Sequence, residues 1–261
     1  MNIKTFNYFD FNFDSLKNSF KENSVIQINN LFSKELCTES AKFILKNEKK
    51  IINKYSKDSR GLVKEKINNN EFIKYFDKPL EYEFNIFSKF INSKIFNLSK
   101  VLLNEDVYLD RFEIHSRFPQ CSPIPPHQDN AYFGLKKGMS ITFYISLNKQ
   151  LPEEGGLRYY KIPIGSKKEH ITSDYGGFSL TTKKVNFKEL KIFNPKYEAG
   201  DCTIHHSTNI HFADKVPKSS ERVFALSLRM HAISDFVKDS HKKNYEQIVK
   251  RNRNEPSLKK N

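Results

Sequence analysis

The chain has 261 residues, 38% of them hydrophobic, with three cysteines and a formal net charge of +14. That length supports one large β-rich domain or two small ones, and 23 Phe and 12 Tyr offer enough buried ring surface to exclude a disordered chain. The lysines are spread along the chain rather than gathered in one stripe, so the charge alone does not describe a nucleic-acid surface, and no apolar run reaches the roughly 18 residues of a membrane span.

The opening residues MNIKTFNYFDFNFDS lack a basic segment followed by an apolar core, so neither a signal peptide nor a membrane helix is predicted. Ser24–Ile28 alternates apolar and polar residues and reads as a strand. Ser33 is placed to cap a helix with Glu35 in its first turn, and Cys37, Ala41, Ile44 and Leu45 form its apolar face. The polar stretch 60–70 carries no clear signal. A single helix is predicted from about Glu81 to Leu103, with Phe84, Phe87, Ile91, Ile95, Leu98 and Leu102 as its stripe.

From Val107 onward the texture changes to short strands. They are predicted at Val107–Phe118, Ser140–Leu147, Gly156–Ile162, Cys202–Ser207 and Arg222–Met230, separated by Gly, Pro, Asn and Asp. Such a series suggests a mainly β protein with a jelly-roll core and helical support. The stretch 166–197 reads as a mobile cover. After Asp235 one more helix is predicted; Lys238–Asn261 carries eight Lys/Arg against three acidic residues, as solvated tails often do. The expected organisation is a single domain with helical support over 1–105, the jelly-roll core over 106–232, and a C-terminal helix and basic tail over 233–261. Cys37, Cys121 and Cys202 form no C-x-x-C pair, and their odd number points to a reducing, cytoplasmic setting.

The chemistry concentrates in His127-Gln128-Asp129. On a strand, positions i and i+2 share a face, so an imidazole and a carboxylate grip one ion from adjacent rungs. A third ligand is available in the block Gly200–His211, where His205, His206 and His211 compete. Two histidines and one carboxylate leave about three positions open, which suits non-haem Fe(II), whereas a structural zinc site takes four protein ligands, usually with Cys. Arg222 shares a strand face with Phe224, Leu226 and Leu228; an arginine there requires an anionic partner, either a ligand carboxylate or a protein acid such as Glu221. Arg229 falls on the opposite face and reads as peripheral.

Pro125-Pro126-His127-Gln128-Asp129-Asn130-Ala131-Tyr132-Phe133 resembles the metal motif of the phytanoyl-CoA dioxygenase family, a branch of the Fe(II)/2-oxoglutarate oxygenases. Ser140–Leu147 is similar to the strand that follows it, Glu154–Ser166 to the Asn-Gly-x-Leu…Pro-Gly-Ser-His segment, and Gly200–His211 with Arg222 to the distal block. These blocks stand in family order and cover most of the chain. The resemblance implies Fe(II) held by His127, Asp129 and His211, with His206 in a supporting position and His205 an ordinary strand residue. It also implies 2-oxoglutarate anchored by Arg222, with Thr142 or Tyr144 adding a hydroxyl, and O2 as the oxidant. Halogenating relatives carry a small residue in place of the carboxylate, so Asp129 implies hydroxylation, with release of succinate and CO2.

Gln128, Asn130, Tyr132 and Arg117 are candidates to line the pocket of a small-molecule substrate, and the lysines of the cover suggest an anionic one. Two alternatives remain. Nucleic-acid demethylases share H-x-D, His and Arg and fit the basic charge, although the Gly-Gly-Leu…Gly-Ser block does not suit them. A non-catalytic basic binding module on a jelly-roll scaffold is at odds with an intact ligand set.

Overall fold

The structure is a computed structural model describing residues 4–57, 61–175, 177–183 and 185–237. The N-terminal part contains β1 (Thr5–Asn7), α1 (Phe13–Asn23), β2 (Val25–Asn29) and α2 (Lys34–Tyr55), then β3 (Leu62–Ile67), β4 (Asn70–Phe76), α3 (Pro79–Tyr82), α4 (Phe84–Phe87) and α5 (Ser93–Leu103). Next come β5 (Val107–Arg117), β6 (Ile124–Gln128), α6 (Asn130–Phe133), β7 (Ser140–Ser146) and β8 (Arg158–Tyr160). The chain continues through β9 (His170–Tyr175), β10 (Phe178–Thr182), β11 (Ile192–Phe193), β12 (Cys202–His206), β13 (Ile210–Ala213) and β14 (Val223–Ala232).

The main sheet has eight strands in the order β1-β2-β12-β7-β14-β5-β4-β3, and a second sheet has four in the order β11-β8-β13-β6. Except for the parallel β1–β2 pair, the strands run antiparallel. Val25, Tyr144 and Ala225 of the main sheet pack with Ile124, Tyr159 and Ala213 of the smaller one, so the two sheets face each other as a jelly roll. The outer face of the main sheet carries the larger core. Phe224, Leu226, Leu228 and Met230 of β14 pack there with Leu16, Ile44 and Leu98 from the helices.

Local chemistry explains these elements. Ser33 caps α2, its hydroxyl accepting from the Leu36 N–H at 3.3 Å. The predicted helix over 81–103 is broken into α3, α4, a 3-10 turn and α5, because Glu83 takes an extended conformation and Asn92 starts a new helix by accepting from the Lys94 N–H. The unassigned stretch after residue 60 is a β3–β4 hairpin turning at Asn68 and Asn69, both with positive φ. Strands β2, β3 and β4 therefore extend the main sheet from within the first 105 residues, so the sheet does not begin at the predicted boundary. The stretch 166–197 contains the β9–β10 hairpin and β11, which pairs with β8. The helix predicted after Asp235, together with its basic tail, falls almost wholly outside the described residues.

Candidate metal centre and pocket

His127 and His211 are far apart in sequence but are direct cross-strand partners of β6 and β13. Their rings lie 4.3 Å apart between centroids. Asp129 is not on the strand: β6 ends at Gln128, and Asp129 adopts helical φ/ψ at the start of α6. The turn, rather than strand alternation, brings its carboxylate to the two imidazoles. One ligand atom from each of His127, Asp129 and His211 lies within 4.8 Å of the others.

The hydrogen bonds set which nitrogen each histidine presents. His127 Nδ1 lies 2.8 Å from the Pro125 carbonyl and His211 Nδ1 3.4 Å from that of Asn209, so each Nδ1–H donates and each Nε2 keeps its lone pair. Those Nε2 atoms face Asp129 Oδ1, at 3.8 and 3.5 Å. Burial holds both imidazoles below the usual histidine range, hence neutral. Burial opposes the charge of Asp129, yet its carboxyl is held well below the ordinary range, with His205 Nε2 at 3.2 Å and the Thr142 hydroxyl at 2.8 Å donating to Oδ2. Two neutral imidazoles and one carboxylate form a donor set that fits a divalent transition metal.

A pocket opens from this triad, walled by apolar Ile124, Phe133, Leu157 and Phe178 and by polar Thr142, Tyr144 and Ser227. Phe178 of the β9–β10 hairpin packs on His127 at 5.5 Å, and the hairpin is tied down by Thr181 and Thr182 donating to the Pro126 carbonyl. Among the described residues, the cations lining the pocket are Lys74, Arg117 and Arg229. Lys74 Nζ pairs with Glu65 at 3.2 Å. Arg229 pairs with Asp110 and Glu113, both at 3.1 Å, and lies over Phe133.

Arg117 differs from the other two. It is 4% exposed, and among the described residues its partners are all neutral: the carbonyls of Gly155 at 3.1 Å, Ser122 at 2.6 Å and Asp214, and the Cys121 sulfur. Gly155 fits this role because its φ is +85° and a Cβ there would meet Val216 at 2.6 Å. A buried guanidinium without a carboxylate is costly unless an anion joins it.

His127, Asp129, His211, Thr142, Tyr144 and Arg117 thus converge, and four other predicted site residues do not. Arg222 is corrected: its guanidinium is gripped by both carboxylate oxygens of Glu48, with Nε donating to Ser116 at 2.9 Å. It faces Phe72, Phe118 and Phe224 and does not line the pocket. Gln128 points away from the metal side of β6; its amide donates to the Ser166 and Thr208 carbonyls and accepts from the Lys168 N–H, bracing that loop. Asn130 closes the turn to Leu135. Tyr132 exchanges hydrogen bonds with Leu180 through its hydroxyl, while its ring meets the His127 ring edge-on. Thr142 contacts the metal carboxylate, donating to Asp129 Oδ2 at 2.8 Å, and the Tyr144 hydroxyl donates to Gln150 at 3.0 Å.

The two remaining histidines exchange their expected roles. His206 faces away, with Nδ1 2.8 Å from the Thr208 hydroxyl and its ring against Phe20. His205 turns inward, with Nε2 at 3.2 Å from Asp129 Oδ2. The available sequence signal was the alternation of β12, which sets Thr203 and His205 on one face and His206 on the other. Arg229, read as peripheral, lines the pocket for the same reason.

No family model matches this chain, and no curated protein sequence does. Solved structures do resemble its fold. The epimerase SnoN, in complex with Fe3+, alpha ketoglutarate and nogalamycin RO, is 14% identical with a TM-score of 0.68, covering 95% of this chain and 92% of that one. EctD from S. alaskensis, with 2-oxoglutarate and 5-hydroxyectoine, is 13% identical with a TM-score of 0.64, covering 85% and 77%. The non-heme alpha ketoglutarate dependent carbocyclase SnoK from nogalamycin biosynthesis is 15% identical with a TM-score of 0.63, covering 87% and 88%.

Proposed function

We propose that this chain is an Fe(II)/2-oxoglutarate-dependent oxygenase that hydroxylates a small-molecule substrate. The observation that carries the reading is one pocket with a His127–Asp129–His211 triad in its wall and the uncompensated Arg117 lining it. The triad would hold Fe(II), leaving about three positions for a chelating cosubstrate and O2. Arg117 would hold the distal carboxylate of 2-oxoglutarate, gaining the counter-charge its neutral partners do not supply. When bound, iron and cosubstrate supply O2 activation and oxidation of a substrate C–H bond, with succinate and CO2 as co-products. The chain's own residues orient the reactants and exclude water, with Phe178 and Phe133 as the apolar wall.

The solved structures support the cofactor pair, since SnoN is complexed with Fe3+ and alpha ketoglutarate and EctD with 2-oxoglutarate. Membership of the phytanoyl-CoA dioxygenase family rests on the ordered sequence blocks. Asp129 supports hydroxylation over halogenation. Among the described residues no lysine of 166–197 lines the pocket, so the anionic substrate those lysines suggest gains no support from its wall. A cytoplasmic setting is supported by Cys37, Cys121 and Cys202, all buried and unpaired.

The test is succinate release from Fe(II)-loaded protein supplied with 2-oxoglutarate and O2 across a metabolite panel. Turnover stimulated by one class of small molecule, with formation of its alcohol, is the expected result. Stimulation by methylated nucleic acid with release of formaldehyde would replace this reading with demethylation. Salt-sensitive nucleic-acid binding without succinate would indicate a binding module.

A further inference from the structure

The two oxygens of the Asp129 carboxylate have different surroundings. Oδ1 faces the Nε2 atoms of His127 and His211. Oδ2 accepts from the Thr142 hydroxyl at 2.8 Å and meets His205 Nε2 at 3.2 Å. Thr142 and His205 are direct cross-strand partners of β7 and β12, so the sheet register delivers both to the same oxygen. An ionised carboxylate has no proton to give, so Nε2 of His205 carries the hydrogen and Nδ1 is left with its lone pair. His205 is 2% exposed, and among the described residues its buried Nδ1 has no hydrogen-bond partner.

That orphaned acceptor is informative. A buried unsatisfied polar atom costs about 1–3 kcal/mol, and a leucine would fill the space without that cost. The histidine is therefore worse than a hydrophobic residue as packing, and the feature it adds is the Nε2–H on Asp129. The Asp129 backbone is also fixed, because its carbonyl accepts from the Tyr132 and Phe133 N–H groups at 2.9 and 3.1 Å. Side-chain rotation is the freedom left to the carboxylate, and the two Oδ2 donors remove it.

Given the metal reading above, on which this inference rests, we propose that His205 and Thr142 are positioning residues that hold Asp129 in single-oxygen ligation. A carboxylate gripping with both oxygens occupies two coordination positions. Engaging Oδ2 keeps the second of these open, and fixes Oδ1 where the two Nε2 atoms converge. Groups that hydrogen-bond a ligand from behind contribute about 10–100-fold to metal affinity.

Co(II) titration, followed by visible absorption, tests this without turnover. His205→Leu is expected to fold, yet to bind Co(II) about 10–100-fold more weakly and with altered band intensities. Thr142→Val is expected to weaken binding in the same direction. His205→Gln, whose amide N–H still reaches Oδ2, is expected to recover most of the affinity. A folded His205→Leu protein with parental Co(II) affinity and spectrum overturns the proposal; if that variant does not fold, parental behaviour of Thr142→Val overturns it instead. His127→Ala separates the two levels: its loss of Co(II) binding confirms the site, and parental binding by it overturns the metal reading and the proposal together.

Discussion

The two faces of the main sheet treat their arginines in opposite ways. On the helix side, Arg222 has a complete set of partners: both oxygens of Glu48, the Ser116 hydroxyl and three aromatic rings. On the pocket side, Arg117 is more deeply buried and, among the described residues, is met only by carbonyls and a sulfur. The first charge is balanced within the fold; in the proposed reading the second takes its anion from the cosubstrate. A buried cation marks a ligand site when its counter-charge is missing, and not merely because it is an arginine on an apolar face.

This contrast can be broken at either end. The largest effect is expected at the metal: Asp129→Ala should abolish substrate-dependent succinate release, lowering it by about a thousandfold or more, since the ligand supplies charge as well as geometry. Residual rates above that level would detach the triad from the chemistry. On the helix face, Glu48→Gln leaves Arg222 buried without a full counter-charge, and Glu48 also accepts from the Ile73 N–H at 2.7 Å. Breaking a buried pair in this way costs about 3–5 kcal/mol. Calorimetry should therefore show a clearly lower melting temperature, while the KM for 2-oxoglutarate in the surviving folded protein stays close to parental. A large KM change with unaltered stability would return the cosubstrate role to Arg222.

A smaller effect concerns acid. Burial lowers His206 from 6.5 to about 4, so the folded state favours its neutral form. The unfolded chain takes up the proton first as pH falls. Stability from this group is therefore complete above about 6.5 and is lost as pH drops towards about 4. The metal-free protein should melt at lower temperature at pH 5 than at pH 7.5, and His206→Gln should flatten that slope. An unchanged slope in the variant would assign the acid sensitivity to other groups.

Much of this organisation was legible in the sequence, and the failures share a cause. Alternation correctly grouped Arg222 with Phe224, Leu226 and Leu228, and Thr142 with Tyr144. It could not say which group meets the helices and which meets the second sheet, because one strand has two apolar faces when both are covered. Arg222 and Arg229 were therefore exchanged, and so were His205 and His206. His127 and Asp129 were rightly paired but for the wrong geometric reason, since a turn and not a strand joins them. The β3–β4 hairpin, which carries Lys74, was missed because its exposed edge strand is rich in Lys and Glu, as edges often are. The long predicted helix failed at Glu83 and Asn92, where an apolar stripe persists across breaks that local hydrogen bonding imposes.

The most direct test of the pocket's polarity pairs a protein change with a ligand change. Binding of 2-oxoglutarate and of 2-oxopentanoate, which lacks the distal carboxylate, is measured anaerobically on Mn(II)-loaded parent and Arg117→Met protein. If Arg117 holds that carboxylate, the parent prefers 2-oxoglutarate by about a hundredfold, roughly the 2–3 kcal/mol of a charge-assisted hydrogen-bonded pair, and Arg117→Met loses the preference. A folded Arg117→Met protein that still discriminates between the two acids as strongly as the parent would contradict the assignment.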